Sequence, residues 1–169
     1  MSQIHIQNYL RELVDIKRMT GSTNETVLRE AFKELLKSWG KSQGLFFTAE
    51  YPVDNAAFKQ KGGVDGALLY ELRRPFGYWE AKDTNDDIDE EIQKKFKRGY
   101  PQDNIIFEDT HTLVLIQNRI EVGRCNMQDP QALERFMNTF FGYQRPEITQ
   151  FRQAIEQFKL VHQHATFET

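Results

Sequence analysis

Gly77-Tyr78-Trp79-Glu80-Ala81-Lys82 is the stretch on which the interpretation of this sequence depends. Its composition and its aromatic residues predict a β-strand. Side chains alternate between the two faces of a strand, so Glu80 and Lys82 share one face with Tyr78, while Trp79 lies on the other and is expected in the core. Interior strands rarely carry a charged pair unless the charges are paired or bind a cation. The pair therefore marks a candidate site.

A further acid lies on the preceding predicted strand, which covers residues 64–72 and follows the break at Gly62-Gly63. Asp65 stands near the start of that strand. In an antiparallel meander the start of one strand lies beside the end of the next, so we expect Asp65 to meet Glu80 and Lys82. Two carboxylates and a lysine at one sheet edge form a site for a hard cation such as Mg²⁺.

Phosphodiester hydrolysis is the chemistry that fits these three residues. Mg²⁺ held by the predicted metal ligands Asp65 and Glu80, with Mn²⁺ as a substitute, would polarise a phosphate and lower the pKa of a bound water. Lys82 would orient that water or offset the charge that develops in the transition state. The alternative, purely structural explanations are an exposed ion pair for Glu80 and Lys82, and a turn position for Asp65.

Outward from this stretch, the pattern predicts helices and strands in one layered α/β or α+β domain. The predicted helices cover residues 3–18, 24–39 (ended by Gly40), 88–98, a segment from 130, and 146–162. The predicted strands cover residues 45–53, 64–72, 77–82, 104–107, 112–117 and 119–125. The first three strands are expected to form a meander with short links.

Composition excludes several classes of protein. The 169 residues are 39% hydrophobic and 28% charged, which is typical of a globular domain, and neither a membrane span nor a secretory signal is visible. A single cysteine, Cys125, excludes an intramolecular disulfide and a Cys-rich metal site, so a cytoplasmic location is expected. The net charge of -3 argues against coating nucleic acid by bulk charge, but not against an enzyme that acts on it.

The motifs also resemble a known superfamily. Asp65, a link of fourteen residues and then Glu80-Ala81-Lys82 resemble the D…ExK signature of the PD-(D/E)xK nucleases. The longer strings resemble the N-terminal nuclease domains of large bacterial and phage restriction–modification proteins, which are fused to an adenine-specific DNA methyltransferase and a target-recognition region. Those strings are Asn24-Glu25-Thr26, Ala49-Glu50-Tyr51-Pro52, Val64-Asp65 and Gly77-Tyr78-Trp79-Glu80-Ala81-Lys82-Asp83. The resemblance covers about residues 22–125, and Val64 stands where the family usually has proline.

This resemblance implies a restriction-endonuclease-like core with a central mixed sheet flanked by helices, plus a C-terminal helical extension. The implied domains are a nuclease-like unit over residues 1–128 and a helical extension or connector over residues 129–169, packed on the same domain. The implied activity is that of a Mg²⁺-dependent, type II-like restriction endonuclease domain. Its implied partners are double-stranded DNA, further domains of a longer parent chain and a transient homodimer, with no membrane.

The resemblance also suggests accessory residues. Such families often place a further acid on the first core helix, and Glu25 matches best, although a capping box over residues 22–25 would explain it without catalysis. A glutamine and a tyrosine often follow the lysine, for which Gln93 and Tyr100 are candidates.

Five basic residues are predicted to contact DNA phosphates near the site, and on the helix a merely solvated face is the alternative. They are Lys61, Lys94, Lys95, Lys97 and Arg98. Two other functions stay open: a non-catalytic nuclease-like module that binds DNA or docks at the N-terminus of a DNA methyltransferase, and a pure protein-interaction domain.

Overall fold

The computed structural model describes residues 2–21, 24–53 and 62–165 of the chain. The helices described there are α1 (Ser2–Thr20), α2 (Glu25–Ser42), α3 (Ile88–Lys97), α4 (Pro130–Phe141) and α5 (Pro146–Ala165). The strands described there are β1 (Phe46–Pro52), β2 (Gly63–Leu69), β3 (Pro75–Ala81), β4 (Asn104–Glu108), β5 (Thr112–Gln117) and β6 (Ile120–Asn126). Each element falls where the sequence predicts one, with bounds that differ by a few residues.

These strands form one six-stranded sheet in chain order, from β1 to β6. The first three strands pair antiparallel, as the predicted meander requires. β3 and β4 pair in parallel, and the connection between them contains α3. β4, β5 and β6 pair antiparallel. The sheet is therefore mixed, and helices flank it.

The sheet separates two hydrophobic cores. Residues of α1, α2 and α4 build the first, in which Trp79 packs against Phe32 with ring centroids 6.3 Å apart. Residues of α3 join the second, in which Tyr78 lies with Ile105 and Phe107. Trp79 and Tyr78 therefore lie on opposite faces of β3, which confirms the predicted alternation.

The C-terminal end of α2 differs from the prediction, because the helix continues through Gly40 to Ser42. Gly40 is buried, and a Cβ at this position would lie 2.5 Å from Leu68 Cδ2. The missing side chain lets the helix pack closely on β2, so the glycine serves a close approach and does not terminate the helix.

The N-terminal end of α2 differs as well. Asn24 is the N-cap, and its side-chain oxygen accepts a hydrogen bond from the backbone N–H of Thr26 at 3.0 Å. A capping box that begins at Ser22 would make Glu25 the third residue of the helix. With Asn24 as the N-cap, Glu25 is instead the first residue. Ser22 and Thr23 themselves lie outside the described residues.

The two C-terminal helices differ in how they pack. α4 begins after its N-cap Asp129 and buries its apolar side, including Leu133, Met137 and Phe140. In α5 every side chain from residue 150 to residue 160 is exposed. Within the described ranges, no helix has the length and apolar character needed to cross a membrane.

Candidate active site

Asp65 and Glu80 lie side by side near the start of β2 and the end of β3. Gly66 faces Trp79 in the register of the two strands, so the next positions outward are Asp65 and Glu80. The backbone N–H of Asp65 donates to Glu80 Oε2 at 3.1 Å, and the backbone N–H of Ala81 donates to Asp65 Oδ2 at 2.8 Å. These two bonds tie the strand ends together and fix both carboxylates next to each other. Asp65 thus belongs to a strand and not to a turn.

Lys82 completes the cluster. Its Nζ donates to Glu80 Oε1 at 2.8 Å, and the two side chains are only 9% and 3% exposed. The backbone N–H of Lys82 donates to the carbonyl oxygen of Glu108 at 2.7 Å, which extends the pairing between β3 and β4 beyond the end of β3. The structure therefore brings together the three side chains that are expected to converge, and an exposed edge pair is excluded.

A second ammonium group reaches the same carboxylate. Lys95 Nζ, on α3, lies 2.6 Å from Glu80 Oε1, and the lysine side chain is 14% exposed. It also donates to the hydroxyl of Tyr100 at 2.9 Å and stands 4.7 Å from the centre of that ring. The Tyr100 hydroxyl donates to the carbonyl oxygen of Gly63 at 2.8 Å. Tyr100, a candidate from the resemblance, thus belongs to the cluster, whereas Gln93 is exposed.

The cluster perturbs the titration of Asp65 and Lys95. Asp65 is accessible to solvent as a residue, yet burial around its carboxylate raises its pKa, and the negative charge of Glu80 raises it further. The bond from Ala81 and the charges of Lys82 and Lys95 oppose this rise in part. Burial lowers the pKa of Lys95, but its hydrogen bonds outweigh burial and the pKa is raised. Lys95 is therefore charged at neutral pH.

Glu25 lies beside the segment that follows Lys82. Its Oε1 accepts hydrogen bonds from the backbone N–H of Thr84 at 3.0 Å and from Arg29 Nη2 at 2.9 Å. The N-terminus of α2 therefore faces the loop that leaves the site. A positioning contact with this loop replaces the capping box as the structural explanation of Glu25, and its role as an accessory acid stays a prediction.

The predicted phosphate contacts fall into three groups. Lys94, Lys97 and Arg98 are exposed at the C-terminal end of α3, where Lys94 pairs with Glu91 at 2.7 Å. Lys95 is turned into the cluster instead. Lys61 lies outside the described residues. DNA contact by these residues stays a prediction.

Glu108 is a buried acid that the sequence analysis does not identify. It is 0% exposed, and it accepts hydrogen bonds from Trp79 Nε1 at 3.1 Å and from the backbone N–H of Thr110 at 2.7 Å. Burial raises the pKa of Glu108 to about 7. The one sequence signal is its position as an acid directly after the apolar run Ile105-Ile106-Phe107.

The raised pKa of Glu108 predicts a pH-dependent stability. Its ordinary value is 4.5, so the folded protein binds this proton more tightly than the unfolded chain. The resulting stabilisation is present below about pH 4.5 and is lost as the pH rises to about 7, in total roughly 3 kcal/mol. The free energy of unfolding, measured with urea between pH 5 and pH 8, should fall more steeply with pH in the parent than in Glu108→Gln. Equal slopes would contradict the assignment.

The donor set of the cluster fits a hard divalent cation. Among the residues that the structure describes, no group of three or more His, Cys, Asp or Glu side chains is arranged to hold a metal ion, so the candidate ligands are the two acids alone. Mg²⁺ commonly takes one or two carboxylates and completes its shell with water and phosphate oxygens. Glu80 Oε1 already contacts two ammonium groups, which shows that positive charge is stabilised at this position.

The mixed six-stranded sheet flanked by helices is a restriction-endonuclease-like α+β fold. The chain is similar to a chain in the cryoEM structure of a DrdV–DNA complex, with 39% sequence identity, a TM-score of 0.82 and 93% of this chain covered. It spans 15% of the length of that chain. No protein-family model and no curated protein matches the sequence. The match in fold confirms the predicted fold class.

Proposed function

We propose that this chain is a metal-dependent endonuclease domain of the PD-(D/E)xK type that hydrolyses phosphodiester bonds in double-stranded DNA. The observation that carries the proposal is the convergence of Asp65, Glu80 and Lys82 in one hydrogen-bonded cluster. The similarity to a chain solved in a DNA complex supports DNA as the substrate. The small share of that chain which is covered supports a longer parent, here proposed to be a restriction–modification protein with a methyltransferase.

In the proposed reaction a water oxygen forms a bond to phosphorus and loses a proton, while one ester P–O bond breaks and its leaving oxygen takes up a proton. The products are a phosphate monoester end and a hydroxyl end. Asp65 and Glu80 would hold Mg²⁺, which would polarise the phosphate and lower the pKa of a bound water. Lys82 is fixed on Glu80 and places its ammonium beside the acidic pair, where it orients the water or offsets the negative charge that develops on phosphate.

The surroundings of the cluster support this assignment. Glu25 holds the loop after Lys82 through Thr84, so the end of β3 is anchored on α2 as well as on β4. The exposed cations at the end of α3 supply phosphate contacts beside the acidic site, in a chain whose net charge is otherwise negative. Cleavage of both strands needs two active sites or two events, so a transient homodimer belongs to the proposal.

A plasmid assay tests the function. The chain is incubated with supercoiled plasmid and either Mg²⁺ or Mn²⁺, and nicked and linear products are measured over time. We expect metal-dependent cleavage that EDTA abolishes and that Lys82→Ala reduces at least about a hundredfold, because the variant loses a charge that acts on the transition state. Lys37→Ala is the matched control, since this lysine pairs with Glu34 on the exposed side of α2.

The outcomes separate the proposed functions. Salt-dependent DNA binding by the parent without cleavage would favour the non-catalytic DNA-binding module and contradict the enzyme. No salt-dependent affinity at all would favour a protein-interaction domain. Cleavage that Lys82→Ala leaves unchanged would show that another site or a contaminant is responsible.

A further inference from the structure

Two ammonium groups share one oxygen of a buried carboxylate. Lys95 Nζ lies 2.6 Å and Lys82 Nζ lies 2.8 Å from Glu80 Oε1, and the glutamate side chain is 3% exposed. A single ion pair would already satisfy the charge of Glu80. The second ammonium group comes from α3, on a different element from the D…ExK motif, and therefore needs a separate explanation.

The local charges supply part of that explanation. Counted at their formal charges, the carboxylates of Asp65 and Glu80 are balanced by the ammonium groups of Lys82 and Lys95. The cluster is thus electrically neutral without any added ion. A divalent cation that joins all four side chains creates an excess of two positive charges beside Glu80, whose side chain is 3% exposed, and this excess is unfavourable. One positive group must leave, or an anion must enter with the metal.

The surroundings of the two ammonium groups differ. Lys82 is held at the end of β3, and its backbone is fixed to β4 through Glu108. Lys95 reaches the cluster from α3 and is slightly the more exposed of the two, at 14% against 9%. It also has a further partner in the Tyr100 hydroxyl at 2.9 Å, beside which the ammonium group can stay when Glu80 binds a metal ion. A rotation about the side-chain bonds of Lys95 removes its charge from Glu80 without any change in the sheet.

Tyr100 sets the strength with which Lys95 is held. Its hydroxyl accepts from Lys95 Nζ, its ring lies below the ammonium group, and its own proton goes to Gly63, two residues before Asp65. The ammonium group thus has a second, built-in partner in the position next to the acidic pair. This arrangement holds a cation at the site in the absence of metal.

We infer that Lys95 is an internal counter-ion of the acidic pair, which occupies the cation position on Glu80 and which a divalent metal ion must displace to bind there. The inference rests on the proposed function, because it takes Asp65 and Glu80 as the metal ligands. Lys95 is then a positioning residue that weakens metal binding by the free protein. Once displaced, its charge is available to a phosphate group, which makes the predicted DNA contact of Lys95 a property of the metal-loaded state.

Metal affinity tests the inference without any measurement of cleavage. Mn²⁺ is titrated into the DNA-free protein, and binding is followed by calorimetry and by the electron paramagnetic resonance signal of free Mn²⁺. We expect Lys95→Gln to bind Mn²⁺ at least about tenfold more tightly than the parent, because the ion no longer competes with a tethered charge. Lys95→Arg keeps the positive charge and should stay close to the parent.

Controls separate this effect from a general change of charge. Lys33→Gln removes another partly buried lysine that forms an ion pair, because Lys33 is 25% exposed and lies 3.0 Å from Glu30. This variant should leave the Mn²⁺ affinity unchanged. Asp65→Asn should weaken Mn²⁺ binding. If Lys95→Gln does not fold, as judged by circular dichroism, Tyr100→Phe takes its place: it keeps the ring, removes one partner of the ammonium group, and should tighten Mn²⁺ binding.

The results distinguish the two proposals. The counter-ion inference would be overturned if Lys95→Gln bound Mn²⁺ no more tightly than the parent while Asp65→Asn bound it more weakly. The proposed metal site would then stand. If Lys95→Gln does not fold, an Mn²⁺ affinity of Tyr100→Phe that is equal to or weaker than that of the parent would overturn the counter-ion inference in the same way. Absence of Mn²⁺ binding in parent and variants alike would overturn both the counter-ion and the metal site.

Discussion

Glu80→Gln is expected to lower the free energy of unfolding by about 3–5 kcal/mol, the range seen when one partner of a buried ion pair is removed. The variant leaves the ammonium groups of Lys82 and Lys95 without their shared carboxylate in a region where both side chains are at most 14% exposed. Asp65 then becomes the nearest acid of the cluster. The neutral amide keeps the size of Glu80, so the loss reports charge and not packing.

The same variant should lose DNA cleavage. Loss of outer partners of a metal site alone typically costs about 10–100-fold in affinity or activity, so loss of a direct ligand should cost at least about 100-fold. Chemical denaturation followed by circular dichroism measures stability without metal, and the plasmid assay measures cleavage below the unfolding transition. Cleavage at the parental rate in folded Glu80→Gln would remove Glu80 from the site.

Glu34→Gln is the matched control for stability. Glu34 pairs with Lys37 at 2.7 Å, but both side chains are about half exposed, so the expected change is within about 0.5 kcal/mol. The double variant Glu80→Gln/Lys95→Met removes one orphaned charge and should regain part of the lost stability. Equal stability of Glu80→Gln and Glu34→Gln would show that the buried pair contributes nothing beyond a surface pair.

The geometry around Asp65 was predictable because strands impose a strict alternation. A period of two residues fixes the faces of Trp79 and Glu80, and an antiparallel turn brings Asp65 beside Glu80. No such rule applies to the basic run on α3. Which of its cations turns towards the sheet depends on the rotation of the helix, and Lys95 is selected only when Ile92 and Phe96 pack against the core.

The parts that sequence reasoning missed depend on tertiary contacts. Gly40 has the usual appearance of a helix end, but its lack of a side chain serves the contact with Leu68. Glu108 lies beside Trp79 because β4 pairs in parallel with β3, a pairing that neither strand specifies by itself. Pairing between distant segments therefore decided what the local patterns left open.

Phe140→Ala is expected to lower the free energy of unfolding by about 3–5 kcal/mol, the usual cost of truncating a fully buried phenylalanine. Phe140 is 0% exposed, and its ring meets Phe76 edge to face at 5.9 Å. A Cβ on Gly77 would lie 2.7 Å from Phe140 Cζ, so this ring packs directly on the strand that carries Glu80. α4 is thereby part of the layer that supports the candidate site.

Phe151→Ala tests the contribution of α5 independently of α4, because it makes the same truncation in α5 on a side chain that is 67% exposed. Its expected cost is within about 0.5 kcal/mol. Chemical denaturation of the two variants side by side measures the difference. A large loss of unfolding free energy in Phe140→Ala and a small loss in Phe151→Ala would place the end of the folded unit between α4 and α5 and not at residue 128. A small loss in both variants would instead assign α4 to a separate connector.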